Sequence, residues 1–398
     1  MKYLVILGDG MADYPCDELG GITPLQKAAT PNMDRLASEG VMGMARTVPD
    51  GFPPGSDVAN LSVMGYDPAV YYTGRAPLEA VSMGVKLAEN DVALRCNLVT
   101  LSGEEDYERK VMADYSAGEI ESGQAAVLIR ELDAFLNKDN MKFYPGVSYR
   151  HLMVWSDGPA DTRLTPPHDI SGKVIADYLP SGNGGQDLLS LMKLSHPFLK
   201  YHRVNAARGD RPANSVWFWG QGKTPALKGF REKYGLSGSV ISAVDLIKGI
   251  GICAGLEVVE VEGATGNIHT NFHGKAAAII ESFRKGADFV YAHIEAPDEA
   301  GHQGDMKTKI KAIEEIDSKV LGPVLSQMEE FGHYKILVLP DHPTPLSIMT
   351  HTADPVPFVI FDSRRPGYNP GVKYCEEEAA KGRFIEKGHD LMGMFLKD

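Results

Sequence analysis

At 398 residues the chain has room for two or three domains' worth of core, and its 43% hydrophobic and 23% charged residues are ordinary for a soluble globular protein. A formal charge of −13 argues against nucleic acid or an acidic membrane as partner, so an anionic ligand would need local cations: metal ions or a focused set of Arg and Lys. The four cysteines (Cys16, Cys96, Cys253, Cys375) match no zinc or redox spacing and read as reduced thiols; with no secretory leader and no apolar run of membrane-spanning length, the expected compartment is the cytoplasm.

Residues 2–8 are an apolar run that ends in Asp9-Gly10, a predicted strand with a carboxylate at its C-terminal end. A loop containing Gly and Pro fills 10–25. Residues 30–40 carry helix start and stop signals: Thr30 as N-cap, Pro31 in the first turn with Asp34, and Gly40 at the end. A Gly- and Pro-rich turn at 49–55 then delivers Ser56 to a helix in which Val58, Leu61 and Met64 repeat at helical spacing. Ser56 is expected as its N-cap. That is either a plain capping role or a place where N–H groups and the helix dipole would favour a phosphoryl group on the hydroxyl.

From about 85 to 260 the texture changes to short alternating runs near 92–100, 149–155 and 215–220, with helical patterns at 119–136 and 187–199 between them. This reads as a separate α+β domain inserted into the first. Arg95, Asn97, Arg150, His151, Arg163, His168 and Asp169 lie near its strands; arginines there would suit phosphate or carboxylate recognition, while each residue alone also fits a surface or structural role. The segment 217–222 reads as strand core followed by a tight turn.

Beyond 260, a strand and turn near 258–266 return toward the first domain, and a helix is predicted over 275–285. The strand predicted over 288–294 precedes Pro297, Asp298 and His302. Positions i and i+4 share a helical face, so Asp298 and His302 can aim at one point. A long amphipathic helix is predicted over 306–328. The apolar run 335–340 ends in Asp341-His342, with His351 nine residues on from His342, and a last strand falls at 357–361. Three strand-like runs thus end in metal-ligand side chains, as at the carboxyl ends of strands in open parallel sheets. Three Asp and three His suit two divalent cations with mixed oxygen and nitrogen ligands.

Asp9, the 30–40 helix, Asp298-x-x-x-His302, Asp341-His342 and His351 resemble the alkaline phosphatase superfamily. More closely, Gly55-Ser56-Asp-Val-Ala-Asn-Leu-Ser-Val-Met-Gly-Tyr-Asp67-Pro, Gly74-Arg-Ala-Pro-Leu-Glu79-Ala and Trp219-Gly-Gln-Gly222 resemble the archaeal-type branch of the cofactor-independent phosphoglycerate mutases. The resemblance implies an alkaline-phosphatase-like three-layer α/β sandwich with a mainly parallel sheet, over 1–80 and 265–398, split by an inserted substrate-binding α+β domain over 85–260. It implies Ser56 as nucleophile, one metal on Asp298, His302 and His351, and the other on Asp9, Ser56, Asp341 and His342. Manganese is the favoured ion, with magnesium, cobalt or zinc as alternatives. The implied substrate is a small phosphorylated acid; the candidate binding residues, Arg95, Arg150, His151, His168, Asp169 and Lys275, come from the residues of this chain and not from the resemblance. Where the longer branch has an Asn-x-Arg-x-x-Asp-Arg-like segment, this chain has Trp219-Gly-Gln-Gly222. The implied reaction interconverts 3- and 2-phosphoglycerate through a phosphoserine; a phosphotransferase acting on another small substrate such as homoserine, or a metal-dependent phosphohydrolase, are the alternatives.

Overall fold

The computed structural model describes every residue except Glu104, Asp210, Tyr368 and Asp398. In chain order its strands are β1 (Lys2–Gly8), β2 (Val41–Ala45), β3 (Val92–Ser102), β4 (Val111–Asp114), β5 (Met141–Tyr144), β6 (Arg150–Trp155), β7 (Ser215–Gly222), β8 (Gly238–Ile241), β9 (Glu257–Val258), β10 (Phe289–Ile294), β11 (Tyr334–Leu339), β12 (Val356–Asp362) and β13 (Arg383–Ile385). They fall into two units: Met1–Tyr72 with Ala226–Asp398, and Thr73–Pro225.

The first unit holds an eight-stranded sheet in the order β13-β2-β12-β11-β1-β10-β8-β9. β11, β1, β10, β8 and β9 run parallel, and β12 is antiparallel to both its neighbours. The central strands are apolar along nearly their whole length because both faces are covered. Leu4, Ile6, Val290, Ala292, Ile336 and Val338 share one core with the helices Pro31–Glu39, Phe272–Arg284 and Met306–Glu315. On the other face Tyr3 meets Phe395, Phe289 stacks on Phe230, and Tyr291 reaches the helix Ser56–Val63. Each fully buried Leu, Ile or Val contributes about 1.5–3 kcal/mol. The result is a sheet between two helical layers, as expected. No helix among the described residues is long and apolar enough to cross a membrane.

The predicted 306–328 helix is interrupted. The α-helix Met306–Glu315 passes into a π-helical turn at Ile316–Leu321 before a short helix, Gly322–Leu325. The wide turn carries buried Asp317, whose carboxylate accepts from the Asn32 and Met33 N–H groups at 3.2 and 2.7 Å. It thereby caps the Pro31–Glu39 helix. Thr30 occupies the N-cap position there, but its side chain makes no capping bond.

In the second unit β4-β3-β6-β5 form an antiparallel sheet, with β7 also pairing β3. Cys96, Met153 and Phe218 share a core with Leu128 and Leu132 of the helix Ser122–Leu136 and with Leu188 and Met192 of the helix Gly185–Lys200. This unit begins and ends earlier than the expected 85 and 260. At its start, Ala76 and Ala80 of the helix Ala76–Ser82 pack on Ala93 and Leu152. After its end, β8 and the helix Asp245–Cys253 belong to the large sheet's unit. The two ends of the inserted unit cross in backbone contact. Gly74 has φ +131°, and a Cβ there would lie 2.0 Å from the Gln221 carbonyl oxygen; one at Gly222 would lie 1.9 Å from that of Thr73. Only glycine fits either position.

Candidate metal centre and nucleophile

Adjacent parallel strands β11, β1 and β10 end level: Leu7 is in register with both Leu339 and His293. The residues just past each strand therefore emerge at one edge of the sheet. Asp9 comes directly after β1, Asp341-His342 come after β11, and Asp298 lies in the first turn of the helix Ala296–His302 after β10. The i,i+4 spacing brings His302 Nε2 to 3.3 Å from Asp298 Oδ2, and His351 Nε2 lies 3.4 Å from Asp298 Oδ1. The two Nε2 atoms are 2.8 Å apart. A second group forms around His342, whose Nε2 is 3.1 Å from Ser56 Oγ, 3.5 Å from Asp9 Oδ1 and 3.4 Å from Asp341 Oδ2. The seven residues expected at the metals are thus in two touching clusters, with the His342 and His351 rings 4.0 Å apart between centroids.

Gly10 is what lets β1 end this way. Its φ is +60°, its N–H donates to Asp341 Oδ1 at 3.2 Å, and a Cβ would lie 2.6 Å from Asp298 Oδ1. Ser56 differs from expectation by one position: Gly55 is the N-cap and Ser56 the first residue of its helix. Gly55 is extended there and makes no side-chain cap, while the Ser56 hydroxyl turns to His342.

Hydrogen bonds assign the imidazole protons. Thr344 Oγ1 donates to Asp298 Oδ1, since a carboxylate only accepts, and so takes a bond from His342 Nδ1–H at 3.3 Å. His342 Nε2 is then a bare lone pair facing Ser56 and Asp9. His302 Nδ1–H donates to the Met349 carbonyl at 3.1 Å, which leaves Nε2 as the ring atom turned to Asp298 and His351. Burial pushes His342 down to about 4, so it is neutral near pH 7. Burial also works against a charged His302, but the hydrogen bond and charge of Asp298 outweigh it and push His302 up to about 9. Burial and the charges of Asp341 and Asp298 hold Asp9 well above the carboxylate range. Against burial, His351 and His302 hold Asp298 well below it.

This donor set fits divalent cations. Asp9 Oδ1 is buried with no hydrogen-bond partner among the described residues, and it faces the bare nitrogen of His342. Lone pairs converging in a buried, carboxylate-rich space repel one another, and a cation between them removes the conflict. Asp298, His342 and His351 form one set of mutually close ligand atoms, and Asp9, His293 and Asp341 another. His293 had no site role in the sequence reading. It lies two residues after Tyr291, on the face of β10 toward the Ser56 helix, so the alternation of a strand was the available signal.

In the inserted unit Arg95 and Arg150 share a sheet face, because Arg95 and Asn97 alternate and Arg150 pairs Asn97. Trp219, in register with Arg95, is the platform: the Arg95 guanidinium lies 4.2 Å and the His168 ring 5.1 Å from its centroid. Glu79 bridges Arg95 at 3.0 Å and Arg75 at 2.9 Å. Burial, with Arg75 and Arg150, pushes Arg95 down to about 10. Asp169 is exposed beside His168. His151 is opposite Cys96 and hence on the other face. It is buried, accepts from the Gly146 N–H at 3.0 Å, and burial pushes it down to about 3. Arg75 and Glu79 were missed as a pair, although their i,i+4 spacing on a helix start is readable. Lys275, in the first unit, is buried with Nζ donating to the His293 carbonyl at 2.8 Å, and burial pushes it down to about 8.

Residues 37–205 match the family model described as 2,3-bisphosphoglycerate-independent phosphoglycerate mutase. Over the full length of both chains, this one is 54% identical to a probable 2,3-bisphosphoglycerate-independent phosphoglycerate mutase of Geobacter sulfurreducens, aligned over 401 residues. It is also 54% identical, again over the full length of both, to a 2,3-bisphosphoglycerate-independent phosphoglycerate mutase of Methanosarcina acetivorans. Among solved structures, a Pyrococcus horikoshii protein superimposes with a TM-score of 0.80 at 29% identity, covering 99% of this chain and 96% of that one. On this full-length similarity the chain belongs to the 2,3-bisphosphoglycerate-independent phosphoglycerate mutase family, archaeal-type branch.

Proposed function

We propose that the chain interconverts 3-phosphoglycerate and 2-phosphoglycerate through a phosphoserine at Ser56, in a site that holds two divalent cations. The observation that carries this reading is the convergence of Ser56 Oγ, the bare Nε2 of His342 and the orphaned Oδ1 of Asp9. Asp298, His302 and His351 would hold one cation, and Asp9, Asp341, His342 and Ser56 the other. Bound there, the cations would neutralise phosphoryl oxygens and ease loss of the Ser56 proton.

The chain's own groups do the rest. The Ser56 helix aims Oγ at the phosphorus, and its first-turn N–H groups favour the negative charge that arrives. A bond forms between Oγ and phosphorus as the bond from phosphorus to the glycerate oxygen breaks. The reverse transfer, onto the other glycerate hydroxyl, restores Ser56 with no net use of water. We assign recognition of the substrate's anionic groups to Arg95 and Arg150, with His168 beside them on Trp219. Arg95 is pre-set by Glu79 and by its stacking on the indole, which lowers the cost of ordering it.

The test is Ser56→Ala, assayed with manganese and 3-phosphoglycerate. Ser56 makes no capping bond, so the variant keeps its fold, and turnover falls by several orders of magnitude. Mass spectrometry of wild-type protein quenched with substrate finds phosphate on Ser56. An alanine variant retaining more than a few percent of turnover refutes the assignment. Release of inorganic phosphate as the main product, or turnover only with homoserine and ATP, replaces the substrate reading.

A further inference from the structure

We infer that β10 supplies a supporting layer for the Asp9/Asp341 cation site: Tyr291, acting through Asn60, and His293 are positioning residues, one for each carboxylate. The inference rests on the two-cation reading above. Tyr291 and His293 alternate on β10 and so share the face covered by the Ser56–Val63 helix. Tyr291, Asn60 and His293 are all fully buried.

The Tyr291 hydroxyl donates to Asn60 Oδ1 at 2.6 Å. That bond decides which way the amide faces. Asn60 Nδ2 is then free to donate twice, to Asp341 Oδ2 at 2.8 Å and to the Ser56 carbonyl at 2.8 Å. With the amide reversed, its carbonyl oxygen would face a carboxylate. One side chain therefore ties the nucleophile's helix to the carboxylate at the end of β11. Asp341 Oδ1 is held separately by the N–H groups of Gly10 and His342, at 3.2 and 2.9 Å.

His293 does the matching work on Asp9. His293 Nε2 lies 3.0 Å from Asp9 Oδ2, and a carboxylate oxygen only accepts, so Nε2 carries the ring proton and donates it there. Nδ1 of the ring then takes the Ser242 hydroxyl proton at 3.3 Å, while Ser242 Oγ accepts from the Val244 N–H at 3.0 Å. Asp9 is thus pinned by one oxygen while the other, Oδ1, has no hydrogen-bond partner among the described residues and faces His342. A protonated Nε2 cannot itself ligate a cation, so in this arrangement His293 orients a ligand. Partners of this kind are worth roughly 10–100-fold in metal affinity.

Manganese titration of the metal-stripped full chain, with free Mn2+ read by electron paramagnetic resonance, tests this. Asp9→Asn and His302→Ala identify which binding step belongs to which site. Tyr291→Phe removes one hydroxyl and His293→Leu one donor. Each weakens the Asp9/Asp341 step by roughly 10–100-fold and leaves the Asp298/His302 step within about twofold. His293→Gln restores a donor near the Nε2 position and recovers most of the affinity. Ser242→Ala, which removes only the hydroxyl that holds Nδ1 of the ring, gives a smaller loss at the same step and serves if the leucine variant does not fold. Wild-type affinity in Tyr291→Phe overturns the relay. Equal loss in the Gln and Leu variants overturns positioning and makes His293 a ligand. Fewer than two Mn2+ on wild type, or no step lost in Asp9→Asn, overturns the two-cation reading together with the inference; normal wild-type steps with unaffected Tyr291 and His293 variants overturn the inference alone.

Discussion

Replacing Lys309 by methionine should destabilise the large-sheet unit by roughly 3–5 kcal/mol, the usual consequence of stripping one partner from a buried ion pair. The side chain of Lys309 is 0% exposed and that of Asp13 1%, so water cannot take the ammonium's place. Its three protons have three acceptors: Asp13 Oδ2 at 2.7 Å, the Thr344 carbonyl at 2.8 Å and the Ala12 carbonyl at 3.2 Å. Asp13 also accepts from the N–H groups of Tyr14 and Leu346, which hold it but do not neutralise it. Methionine fills the volume, so little of the loss is cavity. What remains is a carboxylate and two carbonyl oxygens against a thioether. For a unit of this size the loss corresponds to a fall in melting temperature of roughly 6–20 °C. The pair joins the segment after Asp9 to the segment after His342, so cation affinity should fall as well. Calorimetry of the metal-free protein near neutral pH measures the first effect. The double variant Lys309→Met/Asp13→Leu should regain most of the loss, because no charge is then left buried. A single variant melting within about 2 °C of wild type would refute the argument.

The other expectations rest on the same geometry. In the metal-free protein His302 is protonated below about 9, and a cation needs its Nε2 lone pair. Affinity at that site should therefore fall about tenfold for each pH unit below that value, and titration calorimetry in two buffers should show proton release; buffer-independent heats would count against it. His151 is buried neutral with its pKa depressed to about 3, so the unfolded chain takes up its proton first. Its contribution is constant above about 6.5 and is lost at about 1.4 kcal/mol per pH unit below it; urea unfolding of His151→Leu should show the flatter profile. Chelation should abolish turnover, with manganese, cobalt or magnesium restoring it, and should lower the melting temperature; full activity in stripped protein would end the two-cation reading. Arg95→Lys should raise KM and destabilise the inserted unit, because an ammonium reproduces neither the placement of the guanidinium's charge against Glu79 nor its stacking on Trp219. Exposed Arg150→Met should raise KM with no change in melting temperature.

The candidate metal centre was legible because its signals are local. Apolar runs locate β1, β10 and β11, and the residue after each run inherits a place at the sheet edge. The i,i+4 spacing of Asp298 and His302 is set by helix geometry alone. The turn chemistry before Ser56 indicated a helix start, yet the choice between Gly55 and Ser56 as cap depends on His342, far away in sequence. Asp317 is a further case. Helical spacing through 306–328 was sound, but a carboxylate needed by the start of another helix opens a π-turn in it. His151 was readable and misjudged: neighbouring residues of a strand cannot both serve one face, and Arg150 already occupied it. The domain boundaries were hidden because β8 is four residues long and because Gly74 and Gly222 meet only in three dimensions.

The crossing of Gly74 with Gly222 bears on how the chain is made. The inserted unit is continuous and tied at its own base, so it can complete its contacts while residues 226–398 are still to be synthesised. The larger unit has the opposite fate. In the described sheet the two neighbours of β1 are β10 and β11, both far later in the chain. At ordinary synthesis rates β1 waits on the order of 15–65 s for those neighbours, with both ladder edges bare. During that interval the emerging N-terminal segment, Asp9 included, is the part of the nascent chain most in need of a chaperone.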